Sequence, residues 1–147
     1  SIKKEIPCSK NELIMMVLDI EKYPEFVPWC IEGKIHTKID KGKTIEITAD
    51  LTIGKGPFKD TFKSDVKYFK KDDLIHVINI GGPLNFLENN WKFQDKSDLK
   101  NGYKTEVIFD IDFEIENKFL NILMTKSFQY GLDKIADAFQ KRAENIK

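Results

Sequence analysis

The sequence predicts one α+β domain in which a curved antiparallel sheet of seven strands is closed by a single long C-terminal helix. Apolar residues recur at every second position through the middle of the chain, the connections between those runs are short, and the period becomes helical after residue 116. The length of 147 residues fits one ordinary domain, so we expect residues 1–147 to form a single folding unit.

The chain is predicted to begin with a strand and two short helices. The first strand covers residues 2–6, and Ser9 is placed to cap the helix that follows. Glu12 stands three residues after Ser9, which is the spacing of a capping box. The two prolines of segment 23–30 end this helical region before the sheet resumes. The predicted buried face of the first helix comprises Leu13, Met16, Val17 and Ile20.

Six further strands are predicted from the alternation of apolar and polar residues. In the first of these runs one face holds Ile31, Gly33, Ile35, Thr37 and Ile39. The other predicted runs are residues 44–53, 58–69, 74–80, 86–94 and 103–115. Their short connections can join only antiparallel neighbours, so we expect a meander.

A helix of about 30 residues, about 45 Å long, is predicted from Asn117 to the end of the chain. Its apolar stripe includes Phe128, Leu132 and Phe139. One helix is narrower than the concave face of seven twisted strands, which favours a cavity between them. Side chains of the eleven Phe and two Trp would fill the same space equally well, so periodicity alone leaves both arrangements open.

Composition excludes several classes of function. Basic and acidic residues each number 24, so no net charge draws the chain toward polyanions. Arg142 is the only arginine, which removes the side chain that most often reads guanine, and DNA is therefore not an expected partner. Cys8 and Cys30 are too few for a disulfide framework, and no apolar run reaches the about 20 residues of a membrane span. We expect a cytoplasmic protein, with peripheral contact at the inner membrane as a further expectation.

The sequence shows no strong catalytic or metal-binding motif. His36 and His76 lie in predicted strands without Cys or His neighbours at ligand spacing, so we expect no metal site. Asp110, Asp112 and Glu114 alternate strictly along one strand, which indicates a solvated sheet face rather than an acid–base site.

Lysines also follow one strand face, at Lys59, Lys63 and Lys67. A solvated surface is the simpler interpretation. The alternative is contact with anionic lipid head groups or with ribosomal RNA.

Four segments carry a resemblance to a known family: YPEFVPWC at 23–30, FKSDV at 62–66, LENNWKF at 87–93 and AFQKRA at 138–143. Together they resemble the coenzyme Q-binding START-domain family, within the polyketide cyclase/dehydrase and lipid transport superfamily, and the similarity covers essentially the whole chain. One departure is GPLN at 82–85, where the family usually reads GPFK. That departure weakens the transfer of a lysine role to this position.

The resemblance implies a START-like helix-grip fold that binds ubiquinone or a similar isoprenoid lipid without chemistry of its own, in support of respiratory electron transfer. Ubiquinone is then the bound ligand, and no cofactor is required. Aromatic and apolar side chains would line the slot or stack on a quinone head, although core packing is the alternative role for each aromatic ring. The predicted ligand-binding residues are Trp29, Phe62, Trp91, Phe109, Phe128, Leu132 and Phe139.

Two other functions stay open at this point. Bacterial members of the same family associate with ribosomes, which implies binding to the large ribosomal subunit and a block of subunit association. A cyclase-type enzyme would need a proton-transfer residue in the cavity, and His76 and the carboxylate row are the available groups. Because their positions look exposed, we rank the enzyme last and predict a non-enzymatic binder.

Overall fold

The structure, a computed structural model, describes residues 2–27, 30–55, 58–81, 86–114, 137–138, 140–142 and 144–145. Its elements are β1 (Ile2–Ile6), α1 (Lys10–Leu18), the 3₁₀ helix η1 (Ile20–Glu25), β2 (Cys30–Asp40), β3 (Thr44–Lys55), β4 (Phe58–Phe69), β5 (Leu74–Gly81), β6 (Phe86–Asp95) and β7 (Thr105–Glu114). The strands form one antiparallel sheet of seven, in the order β1-β7-β6-β5-β4-β3-β2. The predicted meander is confirmed, with β1 added beside the last strand.

The start of α1 follows the predicted cap only in part. The Ser9 side chain accepts a hydrogen bond from the backbone N–H of Glu12 at 3.2 Å. The Glu12 carboxylate accepts the Cys8 thiol at 3.4 Å, and no bond from the Ser9 backbone N–H to Glu12 occurs among the described residues. The capping box is therefore half formed, because the cysteine preceding Ser9 competes for the carboxylate.

Helix α1 supplies one side of the hydrophobic core. The predicted residues Leu13, Met16 and Val17 are buried, and so are Ile14 and Leu18; Ile20 is buried too, but it lies in η1 and not in the first helix as predicted. Together they pack against strand residues of β3, β4, β5, β6 and β7 in one cluster. The buried face of α1 is thus wider than the predicted stripe.

The 3₁₀ helix η1 is held close to β2. The Tyr23 hydroxyl donates to the carbonyl of Val17, which ties η1 back to α1. A Cβ at Gly33 of β2 would lie 2.2 Å from the Ile20 carbonyl oxygen, so only glycine allows this approach.

Strand β2 departs from the predicted alternation. Register shifts occur between Cys30 and Glu32 and between Ile35 and Thr37. A β-bulge adds one residue to one strand, so side chains beyond it change face. As a result Ile31 and Ile39, both predicted to be inward, are 50% and 53% exposed.

The remaining strands, including β7, match their predicted positions to within one or two residues. That strand begins at Thr105 instead of Tyr103, because residues 96–104 form a loop closed by a bridge between Asp98 and Gly102. Tyr103 is accordingly 65% exposed.

The predicted C-terminal helix lies largely outside the described residues. Those that are described, 137–138, 140–142 and 144–145, are helical. The Asp137 carboxylate lies 3.1 Å from the Lys4 ammonium of β1. Among the described residues, no helix has the length and apolar character needed to cross a membrane.

Candidate ligand-binding site

The face of the sheet that packs against α1 is called the inner face, and the strand register orders its side chains into rows. The row that holds Trp91 continues through its register partners Ile45, Tyr68, Ile75 and Phe109. The next rows, going away from α1, are Ile47–Val66–Val77–Asn89, then Ala49–Ser64–Asn79, then Leu51–Phe62.

Burial along the inner face is uneven. Beneath α1 the side chains are fully buried: Ile75 is 0% exposed, and Phe93 and Val107 are each 5% exposed. The other inward residues of β3 to β6 are mixed: Ile47, Ala49 and Val66 are buried, whereas a second set is only half-buried, namely Leu51, Phe62, Ser64, Val77, Asn79, Asn89 and Trp91. Side chains therefore do not fill the inner face over its whole length, and part of it stays accessible.

Polar side chains lie in the middle of this accessible part. Ser64 and Asn79 are register partners, and Asn89 lies in the next row on the neighbouring strand. The Trp91 indole Nε1–H donates to Oδ1 of Asn89 at 3.1 Å, which fixes the orientation of that amide. Oδ1 of Asn89 is thus occupied by the indole of Trp91, whereas its Nδ2 group makes no hydrogen bond within the described part of the chain.

Two of these polar groups, on Asn89 and Ser64, are accessible to solvent. Among the described residues no buried side-chain nitrogen or oxygen lacks a hydrogen-bond partner, so Nδ2 of Asn89 and the hydroxyl of Ser64 must retain accessible surface. An apolar surface with a few convergent polar groups is the usual composition of a small-molecule site. The arrangement can hold an apolar ligand and donate hydrogen bonds to an acceptor on it.

The structure brings two of the seven predicted ligand-binding residues together. The rings of Trp91 and Phe109 lie 4.4 Å apart between centroids at an interplanar angle of 41°. Phe62 is on the same face but three rows and two strands away, which places it about 20 Å from Trp91. Trp29, Phe128, Leu132 and Phe139 lie outside the described residues, or their side chains do, and stay predictions.

A groove that the sequence did not predict lies between α1, η1 and β2. Its volume is about 670 Å³, within the range of ligand sites. Residues of the two helices, of β2 and of the C-terminal segment line it, including Met15, Phe26, Ile35, Lys38 and Arg142.

Arg142 connects the C-terminal segment to η1 beside this groove. Its Nη2 atom lies 3.1 Å from Oε1 of Glu25, and its guanidinium carbon lies 5.3 Å from the centroid of the Phe26 ring. Both contacts are partly exposed, so each contributes modestly. The single arginine and the aromatic segment 23–30 were both visible in the sequence. Neither feature indicates that Arg142 contacts Glu25 and Phe26.

The groups considered for acid–base chemistry face away from the inner face. His76 pairs with Glu88 at 3.3 Å and His36 with Asp50 at 2.7 Å, all at positions on the outer face. Asp110 and Asp112 are exposed on that face too. No cluster of potential metal ligands occurs in the described part of the chain.

Two groups near η1 are shifted by burial. Burial raises the pKa of the Tyr23 phenol above its ordinary value, and it raises the pKa of the Cys30 thiol to about 11. Neither group is therefore ionised near neutral pH.

Comparison with known proteins agrees with this geometry. A START superfamily protein from Mycobacterium smegmatis superposes with a TM-score of 0.81 at 19% identity, covering 99% of this chain and 97% of that one. The fold is therefore the START-like helix-grip fold. Residues 15–140 match the polyketide cyclase / dehydrase and lipid transport family, and the chain belongs to that family.

Two relatives carry more specific names. The Ribosome association toxin RatA of Rickettsia prowazekii is 28% identical over 146 residues, which cover 97% of this chain and 94% of that protein. The mitochondrial Coenzyme Q-binding protein COQ10 of Dictyostelium discoideum is 27% identical over 144 residues, covering 97% of this chain and 67% of that protein. Neither name is that of an enzyme, whereas the family description includes cyclases and dehydrases.

Proposed function

We propose that this protein binds ubiquinone or a similar isoprenoid lipid on the accessible part of its inner face, without catalysing a reaction, and so supports respiratory electron transfer. The observation that carries the proposal is the half-buried apolar surface interrupted by Ser64, Asn79 and Asn89. The name of the Dictyostelium relative supports the choice of a quinone.

The dimensions of the surface favour an elongated ligand. Phe62 and the Trp91–Phe109 pair are about 20 Å apart, a distance that a chain spans and a compact molecule does not. Each buried methylene contributes about 0.8 kcal/mol, so a prenyl tail along this surface supplies most of the binding free energy.

The polar residues suit the head group. Nδ2 of Asn89 is a donor beside the Trp91 ring, and a quinone carbonyl is an acceptor on a flat ring that stacks on indole. One such hydrogen bond is worth about 1 kcal/mol, which corresponds to about fivefold in affinity.

The test is quinone uptake by purified protein. Extraction with organic solvent followed by mass spectrometry identifies any lipid already bound, and a short-chain ubiquinone is then titrated while Trp91 fluorescence is recorded in a Trp29→Phe background. We expect saturable quenching and a bound isoprenoid or acyl lipid. A protein repeatedly free of lipid that also fails to take up added quinone contradicts the proposal.

Adjacent asparagines provide a matched pair of variants. Asn89 faces inward, whereas Asn90 lies between His76 and Asp110 on the outer face. Asn89→Leu is expected to weaken quinone binding about fivefold, and Asn90→Leu to leave it unchanged. Equal losses in the two variants would remove the inner face as the site.

Ribosome binding is the second candidate, because the RatA relative matches nearly its full length. The lysine face of β4 supports it weakly, since Lys67 lies 3.7 Å from Glu46 and Lys63 is opposite Asp50. Co-sedimentation with isolated large ribosomal subunits, with small subunits as the control, tests this candidate. Absence from the large-subunit pellet at both low and physiological salt excludes it.

A further inference from the structure

Three connections of the sheet lie together at one end. The β2–β3, β4–β5 and β6–β7 strand pairs all close there, through residues 41–43, 70–73 and 96–104. Two strands separate neighbouring connections, so these lie about 10 Å apart. These three segments are called the turn end.

The turn end has an excess of basic residues, although the chain as a whole is neutral. Its three segments hold seven lysines and three aspartates, a net charge of +4, while the whole chain has a formal net charge of +0. Several of its cations are already paired: Lys70 with Asp40 at 2.9 Å, Lys104 with Glu5 at 3.5 Å, and Lys41 with Glu46. Four of the seven lysines of the turn end make no ion pair with another described residue: Lys43, Lys71, Lys96 and Lys100.

An apolar side chain stands in the middle of the longest turn. Leu99 is fully exposed, at 108% of its reference area, and the Tyr103 ring is 65% exposed. The loop that carries them is held by reciprocal backbone bonds between Asp98 and Gly102 at 3.1 and 2.9 Å, and by the Asn101 N–H donating to Oδ1 of Asp98 at 2.6 Å. Leu99 is thus presented on an ordered loop between Lys96 and Lys100.

We propose that the turn end docks on an anionic phospholipid bilayer, with Leu99 entering the interface and the unpaired lysines contacting the head groups. Lysine beside exposed leucine is the composition of interfacial membrane anchors, and tyrosine rings prefer the head-group level. A nucleic acid backbone would use the lysines but gains nothing from an exposed leucine, so the bilayer fits the complete set of residues. The inference concerns where the protein docks and does not depend on which lipid occupies the inner face.

The experiment is sedimentation of the full chain with quinone-free vesicles. Phosphatidylcholine vesicles are compared with phosphatidylcholine–phosphatidylglycerol vesicles, at low and at physiological salt. We expect binding to the anionic vesicles that weakens as salt increases, because salt screens the lysine contribution. Binding that is no stronger to anionic than to neutral vesicles overturns the proposal.

Matched variants separate docking from a general effect of charge. Leu99→Ser is expected to reduce partitioning about tenfold, whereas Ile31→Ser, at a 50% exposed isoleucine on the opposite end of the sheet, leaves it unchanged. The double variant Lys96→Gln/Lys100→Gln is expected to lose about twentyfold at low salt. Its control, the double variant Lys34→Gln/Lys59→Gln, removes two exposed lysines that lie outside the turn end and is expected to lose much less.

Two outcomes contradict the docking surface directly. Equal losses for Leu99→Ser and Ile31→Ser would show that the turn end is not the contact. A loss in the lysine variant with none in Leu99→Ser would show a general polyanion site, which also overturns the bilayer proposal. Since Leu99 is fully exposed, Leu99→Ser keeps the wild-type urea midpoint, and a polarity-sensitive dye on Leu99→Cys shifts to the blue only with anionic vesicles.

Discussion

Replacement of Gly33 by alanine tests how closely η1 approaches the sheet. The added Cβ would lie 2.2 Å from the Ile20 carbonyl oxygen and 3.0 Å from its carbonyl carbon, whereas ordinary contact begins at 3.4 Å. The 3₁₀ helix must therefore retreat by about 1.2 Å, because a backbone atom cannot rotate out of the way.

The expected cost is at the upper end of the range for overpacking, about 3 kcal/mol of unfolding free energy. Part of this loss of stability arises because moving η1 away from β2 by this distance weakens many of the dispersion contacts between them. Urea titration followed by circular dichroism measures the effect, which we expect as a lower midpoint with an unchanged m-value.

Gly42→Ala is the control variant, because it replaces a glycine by alanine at a position where the new Cβ meets no other atom. Gly42 has a φ of +86° and no atom within 4 Å of the position of a Cβ, so alanine there meets backbone strain alone, about 1 kcal/mol. If Gly33→Ala destabilises no more than Gly42→Ala does, the close approach of η1 to β2 is wrong.

Three further predictions concern buried or paired groups. Thr105→Val should cost about 1–2 kcal/mol in a urea titration, because the buried Thr105 hydroxyl donates to the Cys8 carbonyl at 2.8 Å and valine removes this hydrogen bond; an unchanged midpoint contradicts this. Lys10 donates a hydrogen bond to the Asp73 carboxylate, which raises the pKa of Lys10 above 10.5. The pair therefore stabilises the fold below pH 10.5, and this benefit is lost as pH rises through the shifted pKa. Asp73→Asn, which tolerates the φ of 50° at this site, should therefore cost at most about 1 kcal/mol at neutral pH and nothing at higher alkaline pH, and a pH-independent difference refutes the pairing. The pKa of about 11 at Cys30 predicts that alkylation of a Cys8→Ser protein stays slow near pH 8 and accelerates toward pH 11, whereas a plateau by pH 9 contradicts it.

The sequence predicted strands well where alternation was strict. The bounds of β1 and β4 agree with the predicted ranges residue by residue, and β3, where the alternation is strictest, begins at the predicted residue 44. Strand β2 has the same apparent alternation, but two bulges shift its register, and a bulge leaves no mark on the spacing of Ile31 and Ile39.

The candidate site was less accessible to prediction. The family resemblance predicted that Phe62, Trp91 and Phe109 line one ligand slot, and the strand register puts all three on the same face of the sheet. Their separation depends on how far each strand is shifted against its neighbour, which periodicity does not encode. The contact of Arg142 with Glu25 and Phe26 joins segments more than a hundred residues apart, so no local sequence pattern predicts it.

The irregular β2 also affects how this protein behaves in a crowded solution. Strand β2 is an edge of the sheet and is eleven residues long, and a regular edge of that length invites pairing with the edge of another copy. Its two bulges interrupt the row of evenly spaced backbone donors and acceptors that such pairing requires. Exposed isoleucines on a regular edge strand promote aggregation, so the interruption opposes edge-to-edge pairing at the strand that carries Ile31 and Ile39.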